Sequence, residues 1–164
     1  MFRFLSFIIC VFFFSNSNLF AQAEEIVRSD STSKTININL GYNYSSSHIL
    51  DLGMSFRNFK TAGYHMAESH LAFSGEVVFG NKLIIGPKIS GWIAGGSSAV
   101  AMGLSIINYT DFNQNEFNIR PEIGIGFFGM KAVYGYNIKV LGDGFDEISK
   151  SSFSFIFPIY SIKR

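Results

Sequence analysis

The residues best suited to nucleophilic chemistry are the three histidines, His48, His65 and His70, which lie near serines and carboxylates. The neighbouring candidates are Ser45, Ser46, Ser47, Asp51, Glu68 and Ser69. A serine, a histidine and a carboxylate together form an activated nucleophile. In an extended chain, residues an odd number of positions apart point to opposite faces. Since His48 and Asp51 are three apart and His70 adjoins Ser69, we predict no local triad; a catalytic set would need partners from neighbouring strands.

Sites for cofactors and metals are not predicted either. The Gly-x-Gly of residues 122–126 (EIGIG) lies within a strand pattern, without the following helix that a dinucleotide site requires. The sequence has no HExxH, no phosphate loop and no metal-spaced cluster of His and Cys. We therefore expect no catalytic, cofactor-binding or metal site.

Residues 1–23 are typical of a secretory signal peptide. Arg3 provides the positive start, residues 4–14 are an apolar run too short to span a bilayer, and Ala21-Gln22-Ala23 is a cleavage site. The single cysteine, Cys10, lies in the apolar run without small residues before it, so no lipid anchor is expected. The remaining chain has equal numbers of acidic and basic residues, which gives no reason to expect a nucleic-acid partner.

Apolar and polar residues alternate through most of the remaining chain. In residues 116–127, for example, Phe117, Ile119 and Ile123 share one face, and Arg120 and Glu122 share the other. This period of two predicts β-strands. The eight alternating segments are residues 35–45, 48–57, 70–79, 82–93, 98–109, 116–127, 130–140 and 151–160.

An even number of strands of about ten residues is the pattern of an antiparallel barrel that crosses a bilayer. The bulky side chains share the apolar face, whereas Gly, Ala, Ser and Asn share the other, which suits a narrow lumen. We predict an all-β, up-and-down, eight-stranded transmembrane barrel over residues 35–164, after a flexible lead-in at 24–34. Residues 89–110 carry no charge and are long enough for a membrane helix, but Gly95-Gly96-Ser97-Ser98 favours a hairpin there.

With both termini on the periplasmic side, the outer links are residues 45–47, 80–81, 110–115 and 141–150. The polar residues of the two longer outer links are Asp111, Asn113, Asp143, Asp146 and Glu147. Inner links are expected to be short, yet the link at 58–69 is the longest. Either it forms a small separate element, or the second and third strands extend into it.

Eight charged residues fall on the inward face and predict a network that fills the lumen, because buried charges must be paired. They are Asp51, Arg57, Glu76, Lys88, Arg120, Glu122, Lys131 and Lys139. A conducting or ligand-binding lumen is the alternative, although eight strands leave little space. The aromatic residues suited to interfacial belts are Trp92, Tyr42, Tyr44, Tyr64, Tyr109 and Tyr160, whereas Tyr134 and Tyr136 lie mid-strand and are expected to be bulky lipid-facing side chains.

The signal peptide, the eight alternating segments and the aromatic last strand resemble the small eight-stranded outer-membrane barrels of Gram-negative bacteria, the OmpX and OmpA-transmembrane type. The resemblance is architectural and covers about residues 35–160. It implies a monomer in the outer membrane, surrounded by lipid and inserted by the barrel-insertion machinery. It also implies a structural or surface-interaction role, with a possible partner at the outer loops. Some barrels of this size modify lipids with a histidine, a serine and an acid, so an enzyme is one alternative; a secreted soluble barrel that binds a small apolar ligand is the other.

Overall fold

The computed structural model describes residues 31–62, 65–96, 99–142 and 144–163. The predicted signal peptide, its cleavage site and residues 24–30 of the lead-in lie outside the described residues. The first strand begins at Ser31, so residues 31–34 belong to the sheet rather than to a flexible lead-in. Among the described residues there is no helix with the length and apolarity needed to cross a membrane.

Nine antiparallel strands make up the described chain. They are β1 (Ser31–Tyr44), β2 (His48–Ala62), β3 (His65–Phe79), β4 (Leu83–Gly95), β5 (Val100–Thr110), β6 (Asn115–Phe127), β7 (Met130–Tyr136), β8 (Ile138–Gly142) and β9 (Ser151–Lys163). Each of the eight predicted segments coincides with one strand, except that residues 130–140 are divided between β7 and β8.

The strands close into a ring in which each strand from β1 to β6 pairs with the next strand in the chain, and β9 pairs with both β7 and β1. β1 pairs with β2 and β9, β4 pairs with β5, and β5 pairs with β6. β7 and β8 together occupy one of the eight positions, since both pair with β6. The predicted all-β, antiparallel, eight-stranded, up-and-down architecture is confirmed.

The break between β7 and β8 occurs at Asn137, which bonds outside the sheet. Its backbone N–H donates to the carbonyl of Lys150 at 2.6 Å, and its side-chain Nδ2 donates to the carbonyl of Ser149 at 2.7 Å. The seventh predicted segment is divided because this residue exchanges ladder bonds for bonds to the link that follows β8.

The long link predicted at residues 58–69 is a strand hairpin. β2 and β3 pair continuously from His48 opposite Phe79 to Ala62 opposite His65. Of the two readings of this link, the extension of both strands is therefore confirmed. The uncharged run at residues 89–110 likewise belongs to β4 and β5, and Gly96, which directly follows β4, has φ +79°.

The two ends of the barrel differ in how the chain connects across them. The links at residues 45–47, 80–82, 111–114 and 143–150 lie at one end, called the loop end here. The other end, called the terminal end, holds Ser31, Lys163, the paired residues Ala62 and His65, Gly96 and the 128–129 turn.

The outward face is apolar and the inward face holds the charge. On β4, Leu83, Ile89 and Ile93 are 50–61% exposed, whereas Lys88 and Trp92 are 4% and 6% exposed. The carboxylates of the described strands are all buried, and they are Asp51, Glu68, Glu76, Glu116 and Glu122. This arrangement is opposite to that of a water-soluble barrel, in which apolar side chains fill the interior.

Candidate functional site in the barrel lumen

Glu76 lies at the centre of the buried charge and accepts hydrogen bonds from four side chains. Asn43 Nδ2 donates at 2.9 Å and Lys88 Nζ at 2.8 Å, both to Oε1. Arg120 donates from Nη1 to Oε1 at 2.8 Å and from Nη2 to Oε2 at 3.2 Å, and the Tyr109 hydroxyl also donates to Oε2. Glu76 and Arg120 are both 0% exposed, so this carboxylate is held by protein donors alone.

The charges in this central cluster balance. Lys88 bridges Glu76 and Asp51, and Arg120 pairs with Glu76, so two acids face two bases. A separate buried pair joins Lys131 to Glu122, whose Oε1 also accepts from Ser105 Oγ at 2.9 Å. Because each charge in the central cluster and in this pair contacts an opposite charge, the desolvation penalty is offset in place.

A second cluster lies toward the terminal end and is centred on Glu68. Its Oε2 accepts from Arg57 Nε at 2.8 Å and from the Gly129 backbone N–H at 3.0 Å, and lies 3.1 Å from His70 Nε2. The His70 ring stacks on Trp92, with centroids 3.7 Å apart and planes 10° from parallel. A carboxylate and a histidine therefore meet in the lumen, two residues apart on β3.

Of the eight predicted lumen charges, Asp51, Glu76, Lys88 and Arg120 form the central cluster, Glu122 and Lys131 form a pair, and Arg57 is half-buried beside Glu68. Lys139, the eighth, is an exposed residue rather than a buried one. It follows the break at Asn137 and lies in β8, where all five residues are exposed.

The belt prediction is wrong for two aromatic residues. Trp92 is 6% exposed and Tyr109 is 0% exposed, and both lie inside the barrel. Their positions follow the alternation of their strands, which places them on the same face as Lys88 and Ser105. The exposed tyrosines are Tyr42, Tyr44, Tyr134, Tyr136 and Tyr160, whereas Tyr64 lies outside the described residues.

The pairs of neighbouring residues considered for catalysis are divided between the two faces of the sheet. His48 is exposed, and its Nδ1 lies 2.5 Å from the Tyr42 hydroxyl on the outer surface. Ser69 is exposed while His70 is buried, and His65 is exposed. The geometry thus separates His48 from Asp51 and Ser69 from His70.

Several lumen residues were not predicted from the sequence. Glu68 fell within the expected 58–69 link, although continuing the alternation backwards from His70 places it on the inward face. Glu116 is the second residue of β6 and accepts from Asn118 Nδ2 at 2.5 Å and from the Phe145 backbone N–H at 2.6 Å. No local pattern indicated Phe145, because its position depends on contacts distant in sequence.

Phe145 closes the loop end. Its side chain is 6% exposed and packs with an apolar cluster that comprises Ile49, Val78, Ile84, Ile107 and Tyr109, with Ile148 against it. The link is tied to the β1–β2 turn as well. Ser149 N donates to Ser45 Oγ at 3.0 Å, and Ser46 Oγ donates to the Glu147 carbonyl at 2.5 Å. The link between β8 and β9 therefore folds over and into the mouth of the barrel.

The other predicted outer-loop residues lie at the same end. Asp111 Oδ1 accepts from the backbone N–H groups of Asn113 and Gln114 at 3.0 and 2.9 Å, and its Oδ2 lies 3.6 Å from Lys82 Nζ. These backbone hydrogen bonds, chiefly from Gln114, lower the pKa of Asp111 below its ordinary value. Asn113 and Asp146 are exposed and Glu147 is half-buried, whereas Asp143 lies outside the described residues.

Small residues make room for the large side chains inside the lumen. A Cβ at Gly86 would lie 2.7 Å from the Tyr109 ring, and one at Gly135 would lie 2.8 Å from Arg120 Cδ. The interior cavity bounded by Asp51, Lys88 and other lumen residues has a volume of about 20 Å³. Since a single water needs roughly 10–15 Å³, this cavity holds about one water. This cavity is therefore small beside the side chains that line it.

Among the described residues, no group of three or more His, Cys, Asp or Glu side chains is arranged to hold a metal ion. Comparison with protein-family models, with curated proteins and with solved structures finds no match to this chain.

Proposed function

We propose that this chain is a monomeric outer-membrane β-barrel with a structural or surface-interaction role and a packed lumen in place of a pore. The observation that carries this proposal is the distribution of charge: the five strand carboxylates are buried, while large apolar side chains cover the outside. Soluble monomers rarely expose contiguous apolar patches beyond a few hundred Å². A surrounding lipid bilayer accounts both for the apolar side chains on the outside and for the charged side chains on the inside.

The dimensions of the apolar surface support a bilayer. On β4 the outward apolar positions run from Leu83 to Ile93, which is ~33 Å of strand at the usual rise per residue. A tilt of ~40° reduces this to ~25 Å along the barrel axis, the height of the apolar band of known membrane barrels. Ring closure pairs the backbone of the strands, as a hydrocarbon surround requires.

The packed interior supports a role other than transport. The central cluster around Glu76 fills the middle, and Phe145 fills the loop end. The exposed parts of the loop end, including Asn113 and Asp146, are the surface available to a partner outside the cell. Insertion would pass through the barrel-insertion machinery.

Cell fractionation, followed by electrophoresis with and without boiling, tests the proposal. We expect recovery in the outer membrane and a faster-migrating band in the unboiled sample, since a closed barrel resists unfolding by detergent. Planar-bilayer recording on the same protein should give no steady conductance. Recovery in a soluble fraction would overturn the membrane assignment and direct the search to an internal apolar ligand.

A further inference from the structure

A groove crosses the outer surface of β1, β2 and β3 where the apolar surface meets the polar terminal end. Its volume is about 270 Å³. One wall is the apolar row Ile36, Phe56 and Leu71, and the other is the polar row Lys34, Asn58 and Ser69. Members of each row are register partners on adjacent strands. The groove thus has an apolar wall toward the middle of the barrel and a polar wall toward its end.

The charge around this groove is positive. Lys34 is exposed, and no ion pair among the described residues involves it. Lys60, also exposed, lies one outward row further toward the terminal end. The strand carboxylates are buried inside, so none offsets these ammonium groups on the outer surface. The groove therefore favours an anionic occupant.

The polar wall also has a hydrogen-bonding atom without a partner. The side-chain Oδ1 of Asn58 is shielded from solvent and makes no hydrogen bond in the structure. An unpaired shielded acceptor is costly, and rotation of the Asn58 side chain toward the groove would let a donor from a bound molecule relieve the penalty. The Ser69 hydroxyl in the same row can donate or accept. An occupant with a negative charge and hydroxyl donors matches this wall.

We propose that the groove is a binding site for an anionic glycerophospholipid, with the phosphate near Lys34 and the upper acyl chain along Ile36, Phe56 and Leu71. This inference rests on the proposed membrane location, which places the groove at the boundary between hydrocarbon and headgroups. A glycerol headgroup supplies hydroxyl donors for Asn58. The phosphate supplies a negatively charged partner for the Lys34 ammonium group. Phosphatidylglycerol is the representative of this class.

Native mass spectrometry of the full mature chain in detergent tests this site, with equal amounts of phosphatidylglycerol and phosphatidylcholine added. We expect more retained phosphatidylglycerol than phosphatidylcholine. Lys34→Gln should lower the retained phosphatidylglycerol about fivefold, the effect of one lysine near an anionic lipid surface. Asn58→Asp, which is nearly isosteric, should also lower it through repulsion. The matched control is Lys82→Gln, which removes the same charge at the loop end and should leave retention unchanged.

Equal retention of the two lipids, or equal losses in the Lys34 and Lys82 variants, would overturn the site. A parallel experiment separates this failure from failure of the membrane assignment. Each variant is mixed with vesicles of phosphatidylcholine alone and analysed unboiled. A folded band without a lipid preference would leave the membrane proposal standing and refute only the lipid site. Absence of insertion by the unsubstituted chain would refute both.

Discussion

Arg120 on β6 and Glu76 on β3 form a two-contact ion pair across the lumen, with nitrogen–oxygen distances of 2.8 and 3.2 Å. Strands β4 and β5 lie between β3 and β6 in the ring, so the pair joins opposite parts of the wall. The residues are 44 positions apart in sequence. The pair therefore completes its contacts only when the sheet curls into a barrel, which makes it a marker of closure.

Breaking this pair should be strongly destabilising. Glu76→Gln removes the carboxylate charge that Arg120 and Lys88 share. Arg120→Met leaves Glu76 without the cation that contacts both of its oxygens. We expect each to lower the free energy of unfolding by ~3–5 kcal/mol, the cost of an uncompensated buried charge. Urea unfolding in vesicles measures this. The double variant should lose less than the sum of the two single losses, and strict additivity would contradict the coupling described here.

The outward position of Ile123 gives a test of orientation. Ile123 is 54% exposed on β6, and in a bilayer Ile123→Arg should lower the free energy of unfolding by ~2–4 kcal/mol, as for a cation placed near the midplane. Thr32→Arg, at the exposed terminal end of β1, is the control and should have little effect. Unchanged stability of the Ile123 variant in vesicles would show that this outer face does not meet the hydrocarbon of the bilayer.

The loop-end closure predicts different responses for two phenylalanines in outer links. Phe145 is 6% exposed in the apolar cluster, whereas Phe112 is 79% exposed. Phe145→Ala should remove ~3–5 kcal/mol of packing and release the link. Faster hydrogen exchange at the Phe145 amide, which donates to Glu116, would report this. Phe112→Ala should change nothing measurable, and equal exchange in both variants would argue against the plug.

The stability of the turn at residues 111–114 should depend on pH. Asp111 has its pKa lowered, chiefly by the hydrogen bond from the Gln114 backbone. A group with a lowered folded-state pKa stabilises the fold above its unfolded pKa, and that contribution is lost as the pH falls through the folded value. The amide NMR signals of Asn113 and Gln114 should therefore titrate with a midpoint below the ordinary aspartate pKa. Asp111→Ala should abolish this titration, and a midpoint at or above the ordinary value would contradict it.

Alternation in the sequence was sufficient to predict the strands, since a period of two persists wherever one face meets apolar surroundings. The same alternation places Trp92 with Lys88 and Tyr109 with Ser105. The prediction of interfacial belts followed the residue type instead and was wrong for both residues. Position within the alternation outweighs aromatic character in this sheet, because glycines such as Gly86 open the space that large inward rings need.

Features that depend on contacts between residues far apart in the chain could not be predicted from the sequence. The end of β7 at Asn137 depends on bonds to Ser149 and Lys150, and the burial of Phe145 depends on residues from several strands. Which charges pair across the lumen depends on the stagger of the ring. Alternation specifies only the face on which a residue lies, and leaves its partner on the opposite wall undetermined.

Fluorescence quenching of Trp92 by brominated lipids tests the central claim most directly, because it is the only tryptophan in the chain. In vesicles of brominated phosphatidylcholine, Trp92 inside the barrel should be quenched little. The matched variant carries Trp92→Phe and Ile93→Trp and so moves the indole to a position that is 61% exposed on the outer face; its emission should be strongly quenched. Strong quenching of Trp92 itself, or no quenching of the moved indole, would contradict a lipid-embedded barrel with a packed lumen.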